Sequence, residues 1–327
     1  MRIVITGAAG FIGSNFVRYW AGKYPNYEFL VIDKLTYSGN INNIKDLLSR
    51  DNFEFVNGDI CNYELMLHLI KENDIIVNFA AESHVDNSII DSGIFIKTNI
   101  LGTHSILEAA RVKKARLFIQ ISTDEVYGSL DFDSSSSKEN DLLMPSSPYS
   151  ASKAAAEQIC LANFKTFNQP IIVTRSSNNF GPYQFPEKVM PLFITNLIQG
   201  KKVPLYGSGK NIRDWIYVED NCEAIDAIIN NGKVGEIYNI GGGNEISNME
   251  LTKSIIGKLN KDDSFINYVE DRKGHDLRYS LDFSKIKSLG WKPKFNFEQA
   301  LEQTIEWYKK NEQWWLSLKN LQDRRTT

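Results

Sequence analysis

The chain is predicted to fold as α/β, with a doubly wound parallel sheet and a smaller, mainly C-terminal lobe. Three observations carry that prediction. Short apolar runs alternate with helix-compatible segments to about residue 177, a glycine-rich turn follows the first run at once, and an acid closes the second.

The runs are Ile3–Ile5, Phe29–Ile32, Phe53–Val56, Ile75–Phe79, Leu117–Ile121 and Ile171–Val173. Each is continuous in Val, Ile, Leu or Phe, the pattern of a parallel strand covered on both faces. Helix-compatible stretches between them include Ser14–Trp20, Ile94–Arg111 and Tyr149–Ala162. From Asn178 to Gly209 the prolines Pro182, Pro186, Pro191 and Pro204 interrupt any long element, which reads as entry to a second lobe. Ile216–Val218 and Ile237–Ile240 look like further strands, so the chain is expected to revisit the sheet. The predicted domains are therefore residues 1–177 with about 214–242 returning, and 178–213 with 243–327 as the second lobe. The low-complexity stretch Ser134–Ser137 reads as a solvated loop.

Composition narrows the function. A chain of 327 residues, 42% hydrophobic and 24% charged, can bury a large core and is not disordered. A net charge of -3 leaves no broad basic surface for a nucleic-acid backbone. Three cysteines without C-x-x-C spacing and four scattered histidines point to neither a disulfide framework nor a metal site. No run approaches the ~18 apolar residues of a membrane span. A cytoplasmic protein without membrane contact is expected.

Gly7-Ala-Ala-Gly10-Phe11-Ile12-Gly13 joins the first strand to a helix with G-x-x-G-x-x-G spacing. Such glycines permit a tight turn and close backbone approach to a pyrophosphate, while the helix N-terminus favours negative charge. Asp33, at the end of the second strand, can accept hydrogen bonds from both hydroxyls of an adenosine ribose and would repel a 2′-phosphate. Together they predict a Rossmann-type site for NAD rather than NADP. Asp59, after the third strand, is open between an adenine contact and a helix N-cap.

Ser122-Thr123-Asp124-Glu125 directly follows the strand Leu117–Ile121, at the carboxyl edge where α/β ligands bind. Tyr149 and Lys153 are four residues apart in a helical segment and so share a face. A free phenol is too weakly acidic to serve as a base at neutral pH, but a neighbouring ammonium favours the phenolate. Tyr149 is thus expected to take a hydroxyl proton while a hydride leaves the same carbon.

These residues resemble the extended short-chain dehydrogenase/reductase family, and within it the dTDP-glucose 4,6-dehydratases, over almost the whole chain. The matching segments include Thr36–Asn40, Asn78–Asp86, Ser122–Gly128, Ser177–Lys188, Arg213–Trp215 and Asp271–Asp276. The resemblance implies that Tyr149 is the base at the sugar C4 hydroxyl, supported by Lys153 and Thr123. Glu125 would remove the C5 proton and Asp124 would protonate the departing C6 hydroxyl. A 4-keto-6-deoxy sugar nucleotide and water would result, with NAD regenerated on the enzyme.

For the cofactor, the resemblance implies contacts from Gly7, Gly10, Phe11, Ile12, Gly13, Asp33, Lys34, Leu35, Thr36, Asp59, Ile60, Ala80, Ala81, Thr98, Tyr149, Lys153 and Asn179. For the nucleotide sugar it implies Ser83, Asn178, Lys188, Val189, Pro204, Tyr206, Arg213, Asn248, Arg272, His275 and Tyr279, beside Thr123, Asp124 and Glu125. For Tyr206 and Tyr279 a core aromatic is a comparable reading. Asn87 stands where the family usually has arginine and Phe180 where it has tyrosine. Trp307-Tyr308 and Trp314-Trp315 read as packing.

A dehydratase acting on UDP-glucose is the nearest alternative. Asp124 argues against the epimerases and the UDP-glucuronate decarboxylase of the same fold, and the joint presence of Tyr149, Lys153, Asp124 and Glu125 argues against a non-catalytic NAD-binding scaffold. The resemblance also implies a homodimer formed by the two helical segments, through Ile96, Ile100, Thr103, Leu107 and Ala110 of one and Ala151, Ala154, Ala155, Gln158, Ile159 and Ala162 of the other.

Overall fold

A computed structural model describes residues 1–271 and 274–326. The expected apolar runs become β1 (Arg2–Thr6), β2 (Glu28–Asp33), β3 (Phe53–Asn57), β4 (Ile75–Asn78), β5 (Leu117–Thr123) and β6 (Ile171–Ser176). Short strands β7 (Asn178–Phe180), β8 (Val203–Tyr206) and β9 (Ile212–Tyr217) follow, then β10 (Ile237–Ile240), β11 (Glu245–Ser247) and β12 (Ile266–Val269). The large sheet has seven parallel strands in the order β10-β6-β5-β4-β1-β2-β3. Its order reverses between β1 and β4, so a crevice opens there at the carboxyl edge.

Burial explains why this sheet forms. Every residue of β4, β5 and β6 is buried, with helices on both faces. Phe16, Val17 and Trp20 of the helix Phe11–Lys23 join Ile225 and Ile228 of the helix Val218–Asn231 in one apolar cluster, while Ile106, Leu107 and Cys160 belong to another. A smaller core surrounds Phe193, Trp215, Ile255, Leu301, Tyr308 and Trp315, so the C-terminal tryptophans are packing residues as expected. Phe180 is buried there against Trp215, Tyr217 and Phe297.

Of the segment expected to return, Ile212–Tyr217 pairs with β7 and β11 in a small sheet, whereas Ile237–Ile240 joins β6. Val218, expected in a strand, opens a helix. Pro191 does not interrupt its segment, because it lies in the first turn of the helix Val189–Ile198, where no backbone N–H is needed. Ser134–Ser137 is not simply solvated either. Ser137 is buried and donates its N–H to Ser280, and Ser136 bonds the Ser280 hydroxyl at 2.7 Å. The stretch expected as one helix from Ile94 to Arg111 has a π-helical centre, Ile96–Gly102, between α-helical Ser92–Phe95 and Thr103–Val112.

Candidate active site

A cleft of about 1610 Å³, counted to its open mouth, lies along the carboxyl edge of the large sheet. One end is lined by Gly7, Gly10, Phe11, Ile12, Gly13, Asp33, Lys34, Thr36, Asp59, Ile60, Ala80, Ala81 and Thr98. The glycines are demanded by sterics. Gly7 has φ +65°, and a Cβ there would lie 2.6 Å from the Ala80 nitrogen; a Cβ on Gly13 would lie 2.2 Å from the Gly7 carbonyl oxygen. Gly10 then caps the helix Phe11–Lys23, whose first residues line the cleft.

Asp33 accepts the Ala9 N–H at 2.9 Å on one oxygen and the Leu35 N–H at 2.7 Å on the other. Burial raises its pKa against these two bonds. Leu35 itself is half-exposed with φ 54° and is not in the cleft wall; it contributes its N–H to Asp33. Asp59 pairs with Lys34 at 2.7 Å and accepts the Cys61 N–H. It is not the helix N-cap, a role taken by Asn62, so that alternative is excluded.

The other end of the cleft gathers the residues expected to carry the chemistry. Thr123, Asp124, Glu125, Tyr149, Lys153, Asn178, Asn179, Ser83 and Lys188 all line it. The β5 strand ends at Thr123, and the chain tightens into one 3-10 turn, Asp124–Tyr127, where the Thr123 hydroxyl accepts the Glu125 N–H. Tyr149 and Lys153 project from the first turns of the helix Pro148–Phe167, fixed at its start by a Ser147/Ser150 capping box and Pro148. Lys188 donates to the Ser83 carbonyl at 2.9 Å.

Electrostatics separates the roles. Asp124 is 3% exposed, and burial, then the charges of Glu125 and Asp214, push its carboxyl well above the carboxylate range, which favours the protonated form. Tyr149 is pushed up by burial and by Glu125, with a Thr123 hydrogen bond opposing. The expected relief by Lys153 is corrected by the structure. The lysine ammonium donates to the Ile121 carbonyl at 2.5 Å instead, and burial pulls its own pKa down to about 8 against the charge of Glu157. One helical turn places it deeper than the phenol, toward β5.

The remaining predicted residues fall outside the cleft wall. Arg213 is buried over the Tyr279 ring, 4.3 Å to its centroid, and donates to the Asp276 carbonyl at 3.0 Å. This group lies toward the acid pair, since Arg213 lowers the Asp124 pKa and Glu125 raises that of Tyr279. Asn248 begins the helix Asn248–Lys258 and donates its N–H to Asn211. Val189 begins the helix Val189–Ile198 and Pro204 lies in β8. Tyr206 is exposed, not a core aromatic, and sets its ring edge-on to His275, whose Nδ1 is 2.6 Å from Asp271. Arg272 lies outside the described residues.

Several cleft residues were not anticipated. Glu82, Gln184, Phe185 and Glu187 line the wall, and Glu187 accepts the Tyr37 hydroxyl at 3.0 Å. Gln184–Glu187 lies within a motif already singled out, and only its polar ends had drawn attention. His84 Nε2 is 3.8 Å from Glu187, and its Nδ1 accepts the Asn87 N–H, so the Asn87 backbone takes part in the local helix start. Asn99, in the π-helical turn, donates to the Glu82 carbonyl and to Ser152 of the long helix at 2.8 Å.

The cleft suits a dinucleotide. Ser122 Oγ, Asn178 Oδ1 and Asn179 Oδ1 are buried polar atoms with no hydrogen-bond partner among the described residues, at the end where a polar ring would sit. Each Asp33 oxygen retains a lone pair for a ribose hydroxyl.

The sequence pattern of the family described as GDP-mannose 4,6 dehydratase matches residues 4–304. A dTDP-glucose 4,6-dehydratase of Streptomyces niveus is 45% identical over 325 residues, 98% of this chain and 96% of that protein. The structure of DesIV, a dTDP-glucose 4,6-dehydratase of Streptomyces venezuelae with NAD and TYD bound, superposes with a TM-score of 0.94 at 46% identity, over 97% of this chain and 100% of that one. A UDP-glucose 4-epimerase of Thermotoga maritima has the same fold, TM-score 0.87, at only 29% identity, over 95% of this chain and 99% of that one. With a seven-stranded parallel sheet, a glycine turn and an acid pair facing a Tyr/Lys helix, the chain belongs to the nucleotide-sugar 4,6-dehydratase family, on its dTDP-glucose 4,6-dehydratase branch.

Proposed function

We propose that this protein converts dTDP-glucose to dTDP-4-keto-6-deoxyglucose and water, using NAD. The observation that carries this reading is the buried Asp124 carboxyl beside Glu125 at the end of β5, which burial and the neighbouring carboxylates push toward its protonated form. An epimerase needs only removal and return of a hydride at C4; a protonated carboxyl next to a second acid is equipment for expelling a hydroxyl.

When bound, NAD supplies a reversible two-electron acceptor and a positive charge. Gly7, Gly10, Gly13 and the helix start would hold its pyrophosphate, Asp33 its ribose, and Lys153 has ammonium protons to spare beyond its bond to Ile121. Tyr149 takes the proton of the C4 hydroxyl as that carbon is oxidised. The resulting ketone acidifies C5, and Glu125 removes its proton. Asp124 gives its proton to the C6 hydroxyl, which leaves as water; the hydride taken from C4 comes back to C6 and Glu125 returns its proton to C5, so that oxidation at C4 and reduction at C6 balance. Thr123 braces both halves, bonding Asp124 at 3.2 Å and the Glu125 N–H at 3.3 Å.

The substrate-binding assignment extends to Arg213, Asn248, His275 and Tyr279, where cationic and polar donors suit a diphosphate. In the accompanying division of the chain, residues 1–177 with about 214–242 hold the cofactor and the remainder holds the sugar nucleotide. Two apolar cores support that division in outline, with Ile286 and Trp291 crossing to the first core and Trp215 and Tyr217 to the second.

A homodimer belongs to the same proposal. On the long helix Ala151, Gln158 and Ala162 are exposed and Ala155 and Ile159 half-buried, a surface of small residues open to a second copy. On the other helix Thr103, Leu107 and Ala110 cover the sheet instead, while Ile94, Ile96 and Leu101 are exposed. Unbridged Cys61, Cys160 and Cys222 support a reducing, cytoplasmic setting. Among the described residues no helix is long and apolar enough to cross a membrane.

Parallel incubation with dTDP-glucose and UDP-glucose, followed by mass analysis for loss of one water, tests the function and ranks the nucleotides. Isomerisation without mass change would refute the dehydratase reading.

A further inference from the structure

The long helix carries Glu157 one turn beyond Lys153, and its carboxylate is completely buried. Arg175 of β6, 2% exposed, meets it with Nε at 3.0 Å and Nη2 at 2.7 Å from the same Oε2. The third guanidinium nitrogen, Nη1, donates to the Tyr127 hydroxyl at 2.7 Å, and the guanidinium lies 4.7 Å from the centre of the Tyr127 ring. Tyr127 in turn donates to Asn239 Oδ1 on β10 at 2.8 Å.

The placement of these groups is what matters. Arg175 is the register partner of Ser122, one residue before Thr123, in the pairing of β5 with β6. Tyr127 ends the 3-10 turn that presents Asp124 and Glu125. Glu157 stands on the helix that presents Tyr149 and Lys153. One buried guanidinium therefore ties the two halves of the site together: the helix with the phenol, and the turn with the acid pair. A buried ion pair of this kind adds little net stability, because desolvating both charges costs about as much as their attraction returns. Its value must lie in geometry, since a bidentate guanidinium fixes distance and angle in a way an apolar contact does not.

We propose that Glu157, Arg175 and Tyr127 are positioning residues that set the alignment of the Tyr149–Lys153 helix with the Thr123–Asp124–Glu125 turn. None of them lines the cleft, so they act through the residues they hold. Proton removal at C4 and elimination across C5 and C6 use groups on opposite sides of this tie, and a misplacement of about 1 Å costs on the order of 100-fold in rate. The inference rests on the dehydratase reading of the site.

The test uses the double variant Glu157→Leu/Arg175→Met, which replaces the ion pair by apolar groups of similar volume, and the single variant Tyr127→Phe, which keeps the ring and removes one hydrogen bond. The expected result for the double variant is unchanged NAD affinity and KM with kcat lower by about 10- to 100-fold. For Tyr127→Phe, oxidation at C4 should proceed at the wild-type rate while elimination slows, so that reduced nicotinamide accumulates in a single turnover. Wild-type kcat in the double variant, or unaltered partition between the two steps in Tyr127→Phe, overturns the proposal. A crystal structure of each variant gives a readout independent of turnover: displacement of the Pro148–Phe167 helix against the Asp124–Tyr127 turn supports the tie, and coincidence with the wild type overturns it. Wild-type protein that dehydrates neither nucleotide sugar would refute the functional reading, and the crystallographic comparison would still decide the positioning role.

Discussion

Asp33 Oδ2 accepts the backbone N–H of Ala9 at 2.9 Å, so the acid at the end of β2 is braced directly against the glycine turn at the end of β1. The carboxylate and the glycine turn are one construction. Asp33→Ala should weaken NAD binding by roughly 1–3 kcal/mol, the scale for losing hydrogen bonds to a charged group. Discrimination against NADP should fall with it. Calorimetric titration with both cofactors checks this, and unchanged affinities would show that Asp33 is not the ribose ligand.

Asp124→Asn should leave oxidation at C4 intact, because Tyr149 and the cofactor end of the cleft are untouched. Loss of water should slow by about 100-fold or more, the range of a general acid's contribution. Stopped-flow absorbance should then show reduced nicotinamide building up and persisting. An enzyme that no longer oxidises its substrate at all would assign Asp124 to the first step.

Burial lowers Lys153 from the ordinary 10.5 to about 8. The folded state binds fewer protons than the unfolded chain between those values, so this residue's effect on stability improves as pH rises through that window. Activity should run the other way. The ammonium donors toward the cleft are lost above pH 8, and single-turnover oxidation at C4 should decline there with no loss of thermal stability attributable to this group. Lys153→Met should oxidise slowly at all pH values and lack that limb; a limb that survives the substitution belongs to another group.

Light scattering across a dilution series should give twice the monomer mass of 37.3 kDa. Placing a charge on the exposed small-residue face, as in Ala151→Arg, should yield monomers with reduced kcat, because that face belongs to the helix carrying Tyr149 and Lys153. A wild-type protein fully active as a monomer would remove dimerisation from the mechanism.

The sequence by itself determined the parallel sheet, the dinucleotide turn and the two clusters of chemistry, since each is a local signal. Six continuous apolar runs need no partner to be recognised as buried strands, and the glycine spacing is a signal within a single turn, where a Cβ on Gly13 would strike the Gly7 carbonyl. The Ser122–Glu125 and Tyr149–Lys153 segments were legible for the same reason, because a strand end and a four-residue helical spacing dictate where side chains point. What the side chains then do was decided by tertiary structure. The direction of Lys153, toward the Ile121 carbonyl rather than the phenol, depends on how the helix sits on β5. The upward push on the Asp124 carboxyl depends on burial and on Asp214, which is remote in sequence, as well as on its neighbour Glu125. Glu157, Arg175 and Tyr127 read singly as ordinary helix, strand and turn residues, and they become a tie only when β5 and β6 come into register. Electrostatics and packing act through space, and local pattern carries no information about which distant group will share a buried pocket.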